Sequence, residues 1–196
     1  MISTTNKNIT EAVRKLYERF PYPNYPIWAD LHWQDGYAAT SEFASSIYEH
    51  QTNKIAAIHL PKNLLDPEFK TVLVAGSGET LPYIIRKLEP HRHRILAVDL
   101  SARNIKRAKW RLLGRTLKAT QFIRADINQY LKKFGNITGP YDHIDAYGVL
   151  HHLPNPTEAL QLFGEKLHRR GTIRVMVYNS HARQWIRNFQ KTFKLL

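Results

Sequence analysis

The feature that most constrains the fold is an alternation, from residue 70 onward, of short apolar runs with helical patterns. The apolar runs predict strands over residues 71–75, 94–98, 120–124, 143–147 and 172–178. Strands that are apolar on both faces and separated by helices are typical of a doubly wound parallel sheet. The sequence therefore predicts an α/β, Rossmann-like sheet of about five strands with flanking helices, whose carboxyl ends meet at one ligand-binding edge.

Sequence signals at the helix ends support this pattern. Ser101 is a preferred N-cap residue, and the helix that follows it is expected to end near Gly114. Asn155 is followed by Pro156 and, three residues after the cap, by Glu158, which predicts a helix to about residue 169. Further helices are predicted through residues 84–88, over 128–134 and over 183–193.

Residues 1–69 differ from the rest and are predicted to form a helical, aromatic-rich leader or cap, with the main domain over 70–196. An amphipathic helix over residues 9–20, with Ile9, Val13, Leu16 and Phe20 on its apolar face, ends at a proline-rich run. A second helix is predicted over 41–60. The aromatic residues between the two helices either pack in the core or cover a cationic ligand, and they are Tyr22, Tyr25, Trp28 and Trp33.

Charge is unevenly distributed along the chain, whose formal net charge is +13. Residues 101–125 and 166–196 each carry eight Lys or Arg and no acid, whereas residues 20–53 carry four acids and no Lys or Arg. A basic surface of this kind suits a polyanion such as RNA, but it also serves solubility alone. Charge by itself leaves both interpretations open.

Several classes of protein are excluded by composition. The chain has no cysteine, which excludes a disulfide scaffold, a cysteine-ligated zinc site and a thiol nucleophile. No stretch approaches the ~18 apolar residues of a membrane span, and the N-terminus has no apolar signal segment. We therefore expect a cytoplasmic protein with no membrane partner.

Candidate binding residues follow the first two predicted strands. Gly76, Ser77 and Gly78 form a turn that lets the backbone approach a ligand at a helix N-terminus, although a simple tight turn is the alternative. Asp99 ends the second strand, where a carboxylate can accept both hydroxyls of a ribose; capping the next helix is its alternative. A nicotinamide-binding domain fits less well, because its fingerprint requires a third glycine where Leu81 stands.

Two more candidates follow the third and fourth strands. Asp126 can accept from the amine of an adenine while Ile127 packs on the ring, or Asp126 can be a helix N-cap. After the fourth strand, His151 and His152 are adjacent and therefore diverge in direction, with no second ligand at a metal-binding spacing. We predict no metal site there, and expect one histidine to be packed and the other to face the loop.

These motifs together resemble class I S-adenosylmethionine-dependent methyltransferases. The resemblance rests on VLVAGSG, the acid that ends the second strand, the AD pair that ends the third and GVLHHLPNP after the fourth, and it covers residues 70–178. It implies S-adenosylmethionine as cofactor and methyl transfer to an unidentified acceptor beside residues 147–150. It assigns no catalytic residue. The cofactor-binding residues that it implies are Gly76, Ser77, Gly78, Asp99, Leu100, Asp126, Ile127 and Tyr147.

The chain departs from the family's pattern at three places. Val74 stands where the family often has an acid, and Glu79 with Thr80 replaces a small residue and a third glycine. The chain also ends one helix after the fifth strand, where the family adds an antiparallel pair of strands. We expect a C-terminally shortened domain whose open sheet edge takes a partner or a second copy. The alternative function is a shortened binding module, inactive alone, that holds RNA or a partner protein through its basic helices.

Overall fold

The computed structural model describes residues 4–21, 24–29, 70–88, 93–113 and 119–178, together with His181, Gln184 and Asn188. The predicted helix over 41–60 and most of the one over 183–193 lie outside the described residues, as do Tyr22 and Trp33. Within the described ranges, every helix is too short or too polar to cross a membrane.

Five parallel strands form one sheet in the order β3-β2-β1-β4-β5, which confirms the predicted doubly wound architecture. Ala75 pairs with Val98 in the next strand, so the carboxyl ends lie at one edge. Of the described strands, β3 and β5 are at the edges, and a partner at the open edge stays a prediction. The strands are β1 (Lys70–Ala75), β2 (His93–Asp99), β3 (Thr120–Arg124), β4 (Tyr141–Tyr147) and β5 (Leu167–Met176).

Helices connect the strands and begin where the caps predict. The Ser101 side chain accepts from the backbone N–H of Asn104, and the Asn155 side chain accepts from that of Glu158, so both predicted N-caps are confirmed. A short 3-10 turn, Leu150–His152, follows β4. The helices are α1 (Thr4–Arg19), α2 (Leu81–Leu88), α3 (Ala102–Arg111), α4 (Ile127–Thr138) and α5 (Pro156–Lys166).

Successive strand side chains pack on opposite helical layers. Leu73 and Ile144 belong to a buried cluster with residues of α4 and α5. Val72 and Val74 point to the other face and pack with Leu81 of α2. Because both faces are covered, the strands are apolar nearly throughout, which is the pattern that the sequence showed.

The fifth strand begins earlier than predicted. It starts at Leu167 rather than at residue 172, and α5 ends at Lys166 rather than near residue 169. Leu167 packs against the core cluster that contains Tyr141, while residues 168–170 are exposed. Because α5 ends at Lys166, Leu167 can point into the core. Packing of Leu167 against distant residues therefore overrides the local helical pattern.

A buried ion cluster links three segments: the turn after β1, helix α3 and residues 24–29. Glu79 is fully buried, and its carboxylate accepts from Arg107 and, at 2.8 Å, from Arg111. Both guanidinium groups also donate to the carbonyl oxygen of Tyr25, Arg111 at 2.9 Å. The Tyr25 ring packs against a cluster that includes Tyr83 of α2. Through these two arginines, Glu79 therefore anchors the segment around Tyr25 to the domain.

We expect Glu79→Gln to lower the free energy of unfolding by about 3 kcal/mol, because the buried guanidinium of Arg111 loses its counter-charge. Urea unfolding followed by circular dichroism measures this change. Glu165→Gln is the matched control: this glutamate is exposed and lies 3.9 Å from Lys166, so its loss should change stability by less than about 0.5 kcal/mol. Equal stability of Glu79→Gln and the parent would contradict the prediction.

Candidate functional site

A cavity of about 270 Å³ opens at the carboxyl edge of the sheet, between the ends of the central strands and α1. Of the eight residues predicted to bind a cofactor, Asp126 alone does not line it. The structure thus brings together seven residues from four separate strand ends. They are Gly76, Ser77, Gly78, Asp99, Leu100, Ile127 and Tyr147.

The turn after β1 needs glycine at two positions for different reasons. Gly76 has φ 64°, and a Cβ there would lie 2.6 Å from Cγ2 of Val149, so the loop after β4 approaches it too closely for any side chain. Gly78 has φ 56°, but a Cβ there would meet nothing within 4 Å. The space beside Gly78 is therefore open to a ligand, whereas Gly76 serves packing.

Asp99 joins this turn to the start of α3. One carboxylate oxygen accepts from the N–H of Gly78 at 2.8 Å, and the other accepts from the N–H of Ser101 at 2.8 Å and the amide of Asn104 at 3.3 Å. The side chain is nearly buried. Burial raises the pKa of Asp99, while the three donors favour the ionised form and oppose the rise. Asp99 thus supports the start of α3 while Ser101 is its N-cap.

Asp126 and Ile127 occupy different surroundings. Asp126 accepts from the N–H of Gln129 at 3.0 Å and from the Thr10 hydroxyl at 3.4 Å, which confirms the capping alternative. Ile127 is buried and lines the cavity. The contact of Asp126 with an adenine stays a prediction, and Ile127 is the member of the pair that faces the cavity.

The end of β4 is positioned by a buried ion pair. Asp145 accepts from Arg174 of β5 and, at 3.2 Å, from the backbone N–H of Tyr147. The Arg174 guanidinium also lies 5.1 Å from the centre of the Tyr147 ring. These contacts hold Tyr147 in the wall of the cavity. The resemblance places methyl transfer beside this residue.

Sequence reasoning missed the contribution of α1 to the cavity. Val13 and Tyr17 line it, and the Tyr17 hydroxyl lies 2.7 Å from Nε2 of His152. The predicted apolar face was wrong in part, because Ile9, Leu16 and Phe20 are 40%, 50% and 59% exposed. Compared with the prediction, the helix is rotated about its axis, so that Thr10, Tyr17 and Glu18 face the domain together with Val13.

Hydrogen bonds explain that rotation. Thr10 contacts the N-cap of α4, and the carboxylate of Glu18 accepts from the backbone N–H of Ala102 at 2.7 Å, in the first turn of α3. The first N–H groups of a helix have no partner within the helix, so they attract acceptors from elsewhere. Helix α1 therefore spans the starts of two helices and closes one side of the cavity.

Rings form the wall of the cavity near α1. Tyr17, His152 and Tyr178 line this part, and the ring of His151 stacks 3.8 Å from that of Tyr178 and 4.2 Å from that of His152. His151 is packed against these rings, as expected for one of the two histidines. His152 differs from the expectation, because it lines the cavity and is held by Tyr17 instead of facing the loop. Among the described residues, no group of three His, Asp or Glu side chains is placed to hold a metal ion.

The proposed cap of leader aromatics over a ligand is wrong for the two rings that are described. Tyr25 packs on the core, as the alternative had it, and Trp28 is 84% exposed. Neither lines the cavity. The physical reason is the anchoring of the Tyr25 carbonyl by Arg107 and Arg111, which holds this segment against α3 and away from the cavity.

Chemically, this arrangement offers two capabilities. Aromatic faces attract a cation, and the rings of Tyr17, Tyr147 and Tyr178 all line the cavity. The Tyr17–His152 hydrogen bond places an imidazole nitrogen that can hold a proton at the cavity.

Solved structures with similar folds include a SAM-dependent methyltransferase from Agrobacterium tumefaciens, at 14% identity over 57% of this chain and 40% of that one, with a TM-score of 0.47. An O-methyltransferase from a polyketide synthase multienzyme of Brevibacillus brevis, in complex with S-adenosyl-L-homocysteine, has 21% identity over 54% and 34%, with a TM-score of 0.47. An rRNA methylase from Streptococcus thermophilus has 16% identity over 63% and 70%, with a TM-score of 0.46.

Among curated proteins, an uncharacterized protein of Synechococcus is 28% identical over 193 residues. The match covers 96% of this chain and 42% of the Synechococcus protein, so the chain spans less than half the length of this relative. A family model described as a methyltransferase domain matches residues 73–173, which is just over half of the chain. The chain therefore belongs to the methyltransferase domain family, in agreement with its resemblance to class I S-adenosylmethionine-dependent methyltransferases.

Proposed function

We propose that this protein transfers a methyl group from S-adenosylmethionine to an acceptor. The observation that carries the proposal is the meeting of an open glycine turn and a buried carboxylate in one cavity, at the carboxyl ends of β1 and β2. Membership of the methyltransferase domain family supports methyl transfer as the reaction.

The residues around the cavity fit this cofactor. The open space beside Gly78 admits close approach of a ligand to the backbone. An ionised carboxylate has about four acceptor positions, and Asp99 uses three of them within the protein. One position is left for a ribose hydroxyl. Acceptance of both hydroxyls requires Asn104 to release its 3.3 Å contact, which is the longest of the three.

Bound S-adenosylmethionine would supply a methyl group on a positively charged sulfur. The rings of Tyr17, Tyr147 and Tyr178 would stabilise that charge and exclude water. Their main contribution to rate would be to hold an acceptor in line with the methyl group. For an acceptor that must lose a proton, the Tyr17 hydroxyl would take that proton and pass its own to Nε2 of His152 along their hydrogen bond, in the tautomer in which Nε2 accepts.

The ribose assignment is tested by comparing two acids that end neighbouring strands. We expect Asp99→Asn to weaken the binding of S-adenosylmethionine by about tenfold or more, because a hydrogen bond to a charged acceptor is exchanged for a neutral one. Asp126→Asn is the matched control: asparagine is an equally good N-cap, and Asp126 does not line the cavity. Isothermal titration calorimetry measures both affinities.

An Asp99→Asn variant with the affinity of the parent would contradict the assignment of Asp99 to the ribose. A large loss with Asp126→Asn would instead support the predicted adenine contact of Asp126. Since Asp99 also holds Gly78, thermal unfolding checks that each variant is folded. If the parent chain itself does not bind S-adenosylmethionine, the alternative of a methyltransferase-like binding module is favoured.

The affinity should also depend on pH. The ionised form of Asp99 accepts a ribose hydroxyl, so binding should weaken as the pH falls and the carboxyl takes up a proton. Burial raises the pKa of Asp99, so this loss should begin at a higher pH than the ordinary value of 3.8 implies. A group with a raised pKa in the folded state favours folding when protonated, so Asp99 itself does not unfold the protein in this range.

Calorimetry at several pH values between about 7 and about 4.5 measures the profile. Asp99→Asn has no titrating carboxyl at this position, so its affinity for S-adenosylmethionine should not show the part of the pH dependence that Asp99 causes. An identical profile in the parent and the variant would show that another group controls the pH dependence.

A further inference from the structure

An exposed surface on α3 combines basic and aromatic side chains outside the cavity. Arg103, Lys106 and Trp110 are three and four residues apart, which places them on one side of the helix. Lys109 flanks them, and Leu113 follows the end of the helix. Trp110 is 57% exposed and Leu113 55%. We call these five residues the basic stripe.

The charge of this surface is not balanced by neighbouring acids. The described residues of 101–125 contain six Lys or Arg and no acid. In the part of the chain that the structure describes, no carboxylate pairs with Lys106 or Lys109. Glu79 is shared by two arginines. The carboxylate of Glu18 accepts from the N–H of Ala102, and the Glu18 carbonyl accepts from Arg103 at 3.4 Å in an exposed contact. The stripe therefore lies in a region of net positive potential.

The exposed indole distinguishes this surface from a helix face that carries charge alone. Lysines on such a face need no partner, but a tryptophan there leaves a large apolar surface in water. Lys109 lies over the ring of Phe122, at 5.8 Å, and so takes its cation–π contact with another ring. An exposed aromatic ring among exposed cations is the arrangement that binds bases by stacking and phosphates by charge.

We propose that the basic stripe binds single-stranded nucleic acid. Trp110 stacks on an unpaired base, while Arg103, Lys106 and Lys109 neutralise neighbouring phosphates. A duplex does not fit equally well, because its bases are already stacked on each other and are not free for the indole. RNA and DNA strands share this chemistry. The proposal goes beyond methyl transfer and does not depend on it, since no residue of the stripe lines the cavity.

The experiment measures binding of the full chain to fluorescently labelled single strands of about twelve nucleotides, one of RNA and one of DNA, by anisotropy at about 50 mM salt. Trp110→Ala should weaken binding about tenfold or more, as loss of a stacking ring does. Trp110→Phe should recover most of that loss. Because Trp110 is exposed, neither variant should alter thermal unfolding.

Lys106→Glu tests the contribution of charge. It should weaken binding and should reduce the slope of log affinity against log salt by about 0.7 or more, the value for one phosphate contact on a single strand. Lys133→Glu is the matched control: this lysine is exposed on α4 and its substitution changes the net charge by the same amount. Lys133→Glu should remain within about twofold of the parent.

Four results would overturn the proposal. Absence of binding at low salt would do so directly. Equal loss in Lys106→Glu and Lys133→Glu would show that net charge alone attracts the strand. Weaker binding by Lys106→Glu with unchanged binding by Trp110→Ala would mean that the surface holds an anion without stacking. Polyglutamate would then displace the labelled strand as well as an unlabelled strand does. A double-stranded competitor that displaces the single strand equally well would contradict the role of Trp110.

Discussion

The carboxylate of Asp99 is the contact on which the cavity depends. It is nearly buried, and it accepts from one N–H in the turn after β1 and from two donors at the start of α3. Placing a charge at such a position is costly unless donors compensate it. The compensation here comes from the two segments that must be held together, so Gly78 and Ser101 are fixed by the same group that lines the cavity. The site is thereby preorganised by the fold itself.

Helix α1 depends on a related principle. The first turn of α3 contains no acid of its own, and Glu18 of α1 supplies a carboxylate to the N–H of Ala102. A negative group at this position is favoured by the helix dipole as well as by the unpaired N–H. Thr10 contacts Asp126 at the start of α4 in a similar way. The leader is thus attached through helix termini, and the cavity gains Val13 and Tyr17 as a consequence.

The strands, the caps and most of the site could be predicted because each depends on local patterns. A strand buried on both faces is apolar throughout. Serine and asparagine are strong N-caps in any helix, and Ser101 and Asn155 act as such here. The rotation of α1 could not be predicted in this way, since apolar periodicity ignores hydrogen bonds such as that between Tyr17 and His152, 135 residues apart. The early start of β5 likewise follows from burial of Leu167, which a helical pattern does not report.

The arginines of α3 show why a count of charges misleads about a surface. Arg107 and Arg111 are four residues apart and face Glu79, and the side chain of Arg111 is almost completely buried. They therefore neutralise an internal acid of the chain. The remaining cations of this helix point away from Glu79 and are exposed, and they are Arg103, Lys106 and Lys109. Helix α3 thus has one basic face that stabilises the fold and another that is open to solvent. Only the second face leaves its charges exposed, and it is the face that carries the exposed indole of Trp110.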